Sequence, residues 1–128
     1  MVWTVRIGGQ DAIVLTVSDA FLHMLLARVR DAEVKHLDPY RDATLDYRAL
    51  VRWQVEIERI AAELREEVTT RLAKTRRLPG DETSRELVLH DWVERELSAD
   101  ERFRALREVE AAVTLALENG GEIVAMGD

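Results

Sequence analysis

Apolar and polar positions alternate at the start of the chain. Trp3, Val5 and Ile7 fall on every second residue with Thr4 and Arg6 between them, the period of a strand with one buried face. Gly8-Gly9-Gln10-Asp11 then supplies residues that accept positive φ, and Ile13, Leu15 and Val17 resume the alternation. The pattern predicts a β-hairpin. Val2 and Val14 occupy its other face, which implies that this face is partly covered as well.

The period changes at Ser18, a side chain suited to cap a helix, with Asp19 placed where a negative charge meets the positive helix end. Phe21, Leu22, Met24, Leu25, Leu26 and Val29 form a broad apolar stripe, the expected central packed helix, and His23 within it reads as a core-edge histidine. Pro39 disfavours helical backbone at Asp38, so the helix must end before His36-Leu37-Asp38-Pro39.

A long amphipathic helix is predicted from about Thr44 to Arg77. Leu50, Trp53, Ile57, Ile60 and Leu64 recur at three and four residues, and Val68 and Leu72 continue the stripe at four. Arg52 with Glu56, Arg59 with Glu63 and Glu67 with Arg71 are opposite charges four apart, each pair worth a few tenths of a kcal/mol on an exposed face. Arg71, Lys74, Arg76 and Arg77 crowd the end where cations meet the negative pole of the helix, and Leu78-Pro79-Gly80-Asp81 stops it.

Thr83 with Glu86, and Ser98 with Glu101, form two capping-box patterns, so two further helices are expected. Leu87, Val88, Leu89, Trp92, Val93 and Leu97 give the first its apolar side, and Phe103, Leu106, Val109, Val113 and Leu117 the second. Asn119-Gly120-Gly121 closes the last helix, and Glu122-Ile123-Val124-Ala125-Met126 is β-prone. A hairpin alone is marginal, so this segment is expected to join it as a third strand. The fold class is therefore α+β, mainly α: one domain over residues 1–128, with a small antiparallel or mixed sheet packed on about four helices.

The long helix constrains shape. A compact chain of this length has a radius of gyration of about 14 Å, a sphere roughly 36 Å across. Thirty-four helical residues span about 51 Å. The domain is elongated, or the helix breaks at the β-branched run Val68-Thr69-Thr70, or its far end packs on another molecule. In the last case Val68 and Leu72 need a partner, and a second copy in a homodimer is the simplest.

Charge refines the picture more than composition does. The net charge is -7, but residues 78–128 hold five Lys/Arg against thirteen Asp/Glu, while residues 41–77 hold nine against seven. A surface of that sign repels a phosphate backbone, so nucleic acid is not expected as a partner. Sixteen of the eighteen basic residues are Arg, a bias that suggests a GC-rich bacterial genome. There is no cysteine, which excludes disulfide scaffolds and thiolate metal sites. The start lacks the features of a signal peptide, and no apolar run approaches the roughly 20 residues of a membrane span. Cytoplasmic localisation without membrane association is the expectation.

Candidate chemistry is sparse. Glu86, His90 and Glu94 lie at i, i+4 and i+8 of one predicted helix and could offer a metal two carboxylates and an imidazole, although in a chain with 34% charged residues such triples also border apolar faces by chance. No second helix supplies the other half of a di-metal site, and neither a metal nor an organic cofactor is expected. His36 and Asp38 share a loop, where a carboxylate can orient an imidazole as a base, and where the same residues commonly make turn hydrogen bonds instead. His36, Asp38 and His90 are the candidates for catalysis. The glycine pairs lack the Lys and Ser/Thr of a phosphate loop, and Ser18 and Ser84 lack a nucleophile elbow.

The reading that follows is a non-enzymatic bacterial protein-interaction protein, an adaptor, regulator or neutraliser. It would work through helix faces and the acidic C-terminal third, with Glu94, Glu96, Asp100, Glu101, Val68 and Leu72 as contact residues. The alternative is a small enzyme or ligand-binding domain with a pocket between sheet and helices.

Overall fold

The computed structural model describes residues 1–127. The hairpin forms as the alternation requires: β1 (Val2–Ile7) pairs antiparallel with β2 (Gln10–Thr16). Gly8 and Gly9 close the two-residue turn at φ 60° and 77°, where a side chain would be strained. The C-terminal segment β4 (Glu122–Met126) pairs antiparallel with the other side of β1. A fourth strand, β3 (Ala43–Leu45), pairs antiparallel with β4, giving the order β2-β1-β4-β3. Thr44, expected to start the long helix, lies in β3.

Ser18 caps α1 (Asp19–Arg28), its hydroxyl accepting from the Phe21 amide. A second, one-turn helix α2 (Ala32–Lys35) follows, capped by Asp31, whose carboxylate accepts from the Glu33 and Val34 amides. Asp46 caps α3 (Tyr47–Thr75), an unbroken helix of 29 residues. Its β-branched stretch does not break it: the Thr69 hydroxyl donates to the Arg65 carbonyl one turn back, so its polar group is satisfied within the helix. At about 1.5 Å per residue α3 spans roughly 43 Å.

Helices α4 (Glu82–Ala99) and α5 (Glu101–Glu118) meet at Asp100, which ends the first and caps the second. Asp81, rather than Thr83, caps α4, and Ser98 lies inside α4 with its hydroxyl on the Glu94 carbonyl. An aspartate just outside the helix accepts amide hydrogen bonds as well as a Ser or Thr does, and both capping-box patterns are displaced by it.

The core lies between one sheet face and the helices. Trp3, Val5, Ile123 and Ala125 are fully buried on that face, beneath α5, which packs on β1, β2 and β4, and α3, which packs beside β3 and β4. The spine of the core is α3, through Leu50, Trp53, Ile57, Ile60 and Leu64. The shorter α1 contributes Phe21, Leu22 and Leu25, and His23 is exposed rather than at the core edge.

The far half of α3 packs on α4, so Val68 at 6% exposure and Leu72 at 1% are covered within the chain and need no second copy. The total accessible surface, 7838 Å², exceeds the roughly 6,900 Å² of a compact monomer of this mass. The domain is elongated, which is how an uninterrupted α3 is accommodated.

Candidate functional site

Local sequence places the loop after α2. His36 ends that helix with its amide bonded to the Ala32 and Glu33 carbonyls. Leu37 turns inward, and the Asp38 carboxylate accepts from the Tyr40 amide and faces Arg41 at 3.6 Å. Asp38 thus does turn work, as such a loop carboxylate commonly does, and among the described residues no hydrogen bond joins it to His36.

His36 lies instead at the mouth of a cavity of about 250 Å³ between α2, β3 and the start of α3. Val34, Leu37, Leu45 and Trp53 form its buried floor, and Glu33 and Arg52 share the rim with His36. Arg52 is held by two carboxylates, Asp31 at 3.0 Å and Glu33 at 3.2 Å. The expected local pair of Arg52 with Glu56 gives way to this arrangement.

Glu56 turns to the opposite need. It is buried, accepts from the Arg30 amide at 3.0 Å, and pairs with Arg59, which also donates to the Arg28 carbonyl. Burial opposes its ionisation, but the Arg59 and Arg30 hydrogen bonds outweigh that and hold its carboxyl below the usual value. Arg28 reaches Glu67 through two bonds, and Arg30 and Arg59 both reach Glu63. The whole cluster clamps the α1–α2 connection onto α3.

The stripe Glu86, His90 and Glu94 does not assemble as a metal site. Glu86 and His90 are exposed, Glu94 bonds Arg65 across the α3–α4 contact, and no group of three or more metal-ligating side chains occurs among the described residues. The bond from Arg65 holds the Glu94 carboxyl below its ordinary value. Among the described residues, no hydrogen bond joins His36, Asp38 and His90, and the cavity that His36 lines includes neither of the other two.

Most of the acidic residues singled out as a contact surface have partners inside the chain. Glu94 bonds Arg65, Glu96 bonds Arg71, and Asp100 caps α5 and pairs with Arg102. Arg76 stacks over Trp92 at 5.3 Å. Two of the four cations expected to serve the helix pole thus grip α4 instead. The carboxylates left exposed and without an ion pair among the described residues include Glu82, Glu86, Glu101 and Glu108.

Sequence reasoning did not single out the edge of the sheet. β2 is an outer strand with its far side unpaired, and six of its seven residues are exposed. Ile13 is 45% and Val14 64% exposed, and on the face away from the core Val14 and Val124 flank Thr4 while Met126, 51% exposed, pairs beside Val2. Asp11 is its one charge, and it is paired with Arg6. The partial cover that Val2 and Val14 imply for this face is present at its centre, where Thr4 is buried and Val2 and Val124 are half-buried, but it does not reach Val14 at the edge. No helix among the described residues is long and apolar enough to cross a membrane. Comparison with known protein families, with curated proteins and with solved structures finds no match for this chain.

Proposed function

We propose that this chain is a non-enzymatic bacterial protein-interaction protein, an adaptor, regulator or neutraliser, that takes an extended segment of a partner protein as an added strand along β2. The observation that carries this reading is the free edge itself. Natural sheets blunt such edges with Lys, Pro, bulges or a covering loop; β2 carries one register irregularity, at Ala12, but the largely exposed stretch Ile13 to Thr16 beyond it carries no charge and no proline. Strand addition draws affinity from main-chain hydrogen bonds and specificity from side chains on both faces, and Val14 and Ile13 offer one apolar contact on each.

The acidic C-terminal third supplies the selectivity. Glu101 and Glu108 lie on α5, the helix that packs on β2, so a segment flanked by Lys or Arg is favoured over an acidic one. A net charge of -7 also opposes addition of a second copy.

The test is affinity capture from a bacterial lysate followed by hydrogen exchange on the isolated complex. The partner should slow amide exchange over Gln10–Thr16, and capture should fall at least tenfold for Val14→Lys and for the Glu101→Lys, Glu108→Lys pair. Protection confined to the helices would reject the edge. A concentration-dependent dimer in light scattering, abolished by Val14→Lys, would replace the partner by a second copy.

A further inference from the structure

The cavity between α2, β3 and α3 is independent of the sheet edge, and we infer that it is a binding site for a small uncharged aromatic compound bearing one hydrogen-bonding group, of phenol or indole type. Size sets the first limit. A closed apolar cavity of about 150 Å³ takes benzene, so this open-mouthed cavity of about 250 Å³ has room to seat a ring system of the size of phenol or indole.

The floor sets the second. Val34, Leu37, Leu45 and Trp53 present carbon surface, and the Trp53 indole among them favours an aromatic body through ring–ring contact. The rim sets the third. Arg52 is already matched by two carboxylates, Asp31 and Glu33, so a ligand anion would lose its hydration without gaining a free counter-charge, and a cation over the apolar floor would be desolvated beside the Arg52 guanidinium. One polar group at the mouth has no hydrogen-bond partner among the described residues: the His36 imidazole, whose backbone alone is used by the end of α2. Its ring nitrogens can accept from a hydroxyl or indole N–H, or donate to an oxygen.

The full chain, isotopically labelled, is titrated by nuclear magnetic resonance with phenol, with indole, and with benzene as the probe that lacks a polar group. Saturable shifts at millimolar phenol should cluster on Val34, Leu37, Leu45, Ala49 and the Trp53 indole N–H. Ala49→Leu, which places a larger helix-compatible side chain into the cavity, should abolish them while leaving the rest of the spectrum in place. His36→Ala should weaken phenol about fivefold, the worth of one net hydrogen bond, and leave benzene unchanged.

Shifts that do not saturate, or that persist in Ala49→Leu, overturn the site. Equal affinity for phenol and benzene overturns the role of His36. Tighter binding of N-acetylphenylalanine amide than of phenol overturns the small-molecule reading in favour of a partner's side chain.

Discussion

The indole of Trp3 meets the indole of Trp53 edge to face, with ring centroids 5.3 Å apart and planes at 88°. This contact joins the central strand of the sheet to the long helix, and both rings are essentially shut off from solvent.

Trp3→Ala should cost about 3–5 kcal/mol, the range for emptying a buried aromatic site, measured by urea denaturation. Trp3→Phe should cost less than half of that. The Trp3 Nε1 is buried without a hydrogen-bond partner among the described residues, so its removal sacrifices no such bond. Equal losses for the two variants would show that the indole N–H is bonded in solution.

Glu56 should dominate the acid limb of stability. Its folded pKa is depressed below the ordinary 4.5, so its contribution is fully present above that value and is lost as pH falls through the lowered one. Glu67, held down first by its bond from Arg28, titrates with the same sign. Glu56→Gln should lower stability at neutral pH by about 1–3 kcal/mol and flatten the decline below pH 4.5, read from melting temperatures across an acid series. An unchanged acid profile would remove Glu56 from this role.

The α3–α4 contact should respond to charge only weakly. Reversing Glu94 or Glu96 to Lys places like charge opposite Arg65 or Arg71, at positions that keep about two-fifths of their side-chain exposure. Each reversal should cost about 0.5–1 kcal/mol, and Arg65→Glu should restore most of the loss in Glu94→Lys. Leu72→Ala, at a position 1% exposed, should cost about 2–5 kcal/mol in the same assay. Loss of partner capture after reversal at these sites would therefore need a stability control before it was assigned to contact.

The hairpin turn isolates a backbone effect. Nothing lies within 4 Å of a Cβ built on Gly9, yet its φ is +77°. Gly9→Ala should therefore cost about 1–2 kcal/mol from left-handed backbone alone. A neutral outcome in thermal denaturation would mean that the turn changes type to relieve it.

Local patterning was enough for most of the elements because their causes are local. Alternation at Trp3, Val5 and Ile7, the glycine pair at 8 and 9, and the three-and-four spacing from Leu50 to Leu72 each act over a few residues. The third strand was legible for a related reason, since a β-prone tail beside an incomplete hairpin has a ready place to pair. β3 was not legible. Three residues are too few to show a period, and Ala43–Leu45 is a strand because β4 offers it an edge.

The site readings fared differently because they depend on distant partners. Arg52 and Glu67 look like members of helical pairs, yet Arg52 is drawn to Asp31 and Glu33 and Glu67 to Arg28, residues remote in sequence that packing brings within ion-pair distance. Glu94 and Glu96 look like a free acidic surface until α3 presents Arg65 and Arg71 to them.

The sequence by itself therefore determined the class of fold, the cap at Ser18 and the hairpin turn, and the presence of a long amphipathic helix, but not that the helix runs unbroken through Thr69. The tertiary structure alone decided that Val68 and Leu72 are covered within the chain, that His36 stands at the mouth of a cavity without a bond to Asp38, and that β2 is left with an unpaired edge. The physical reason is range. Periodicity and capping act through neighbours along the chain, whereas burial, ion pairing and edge exposure depend on which segments packing brings together.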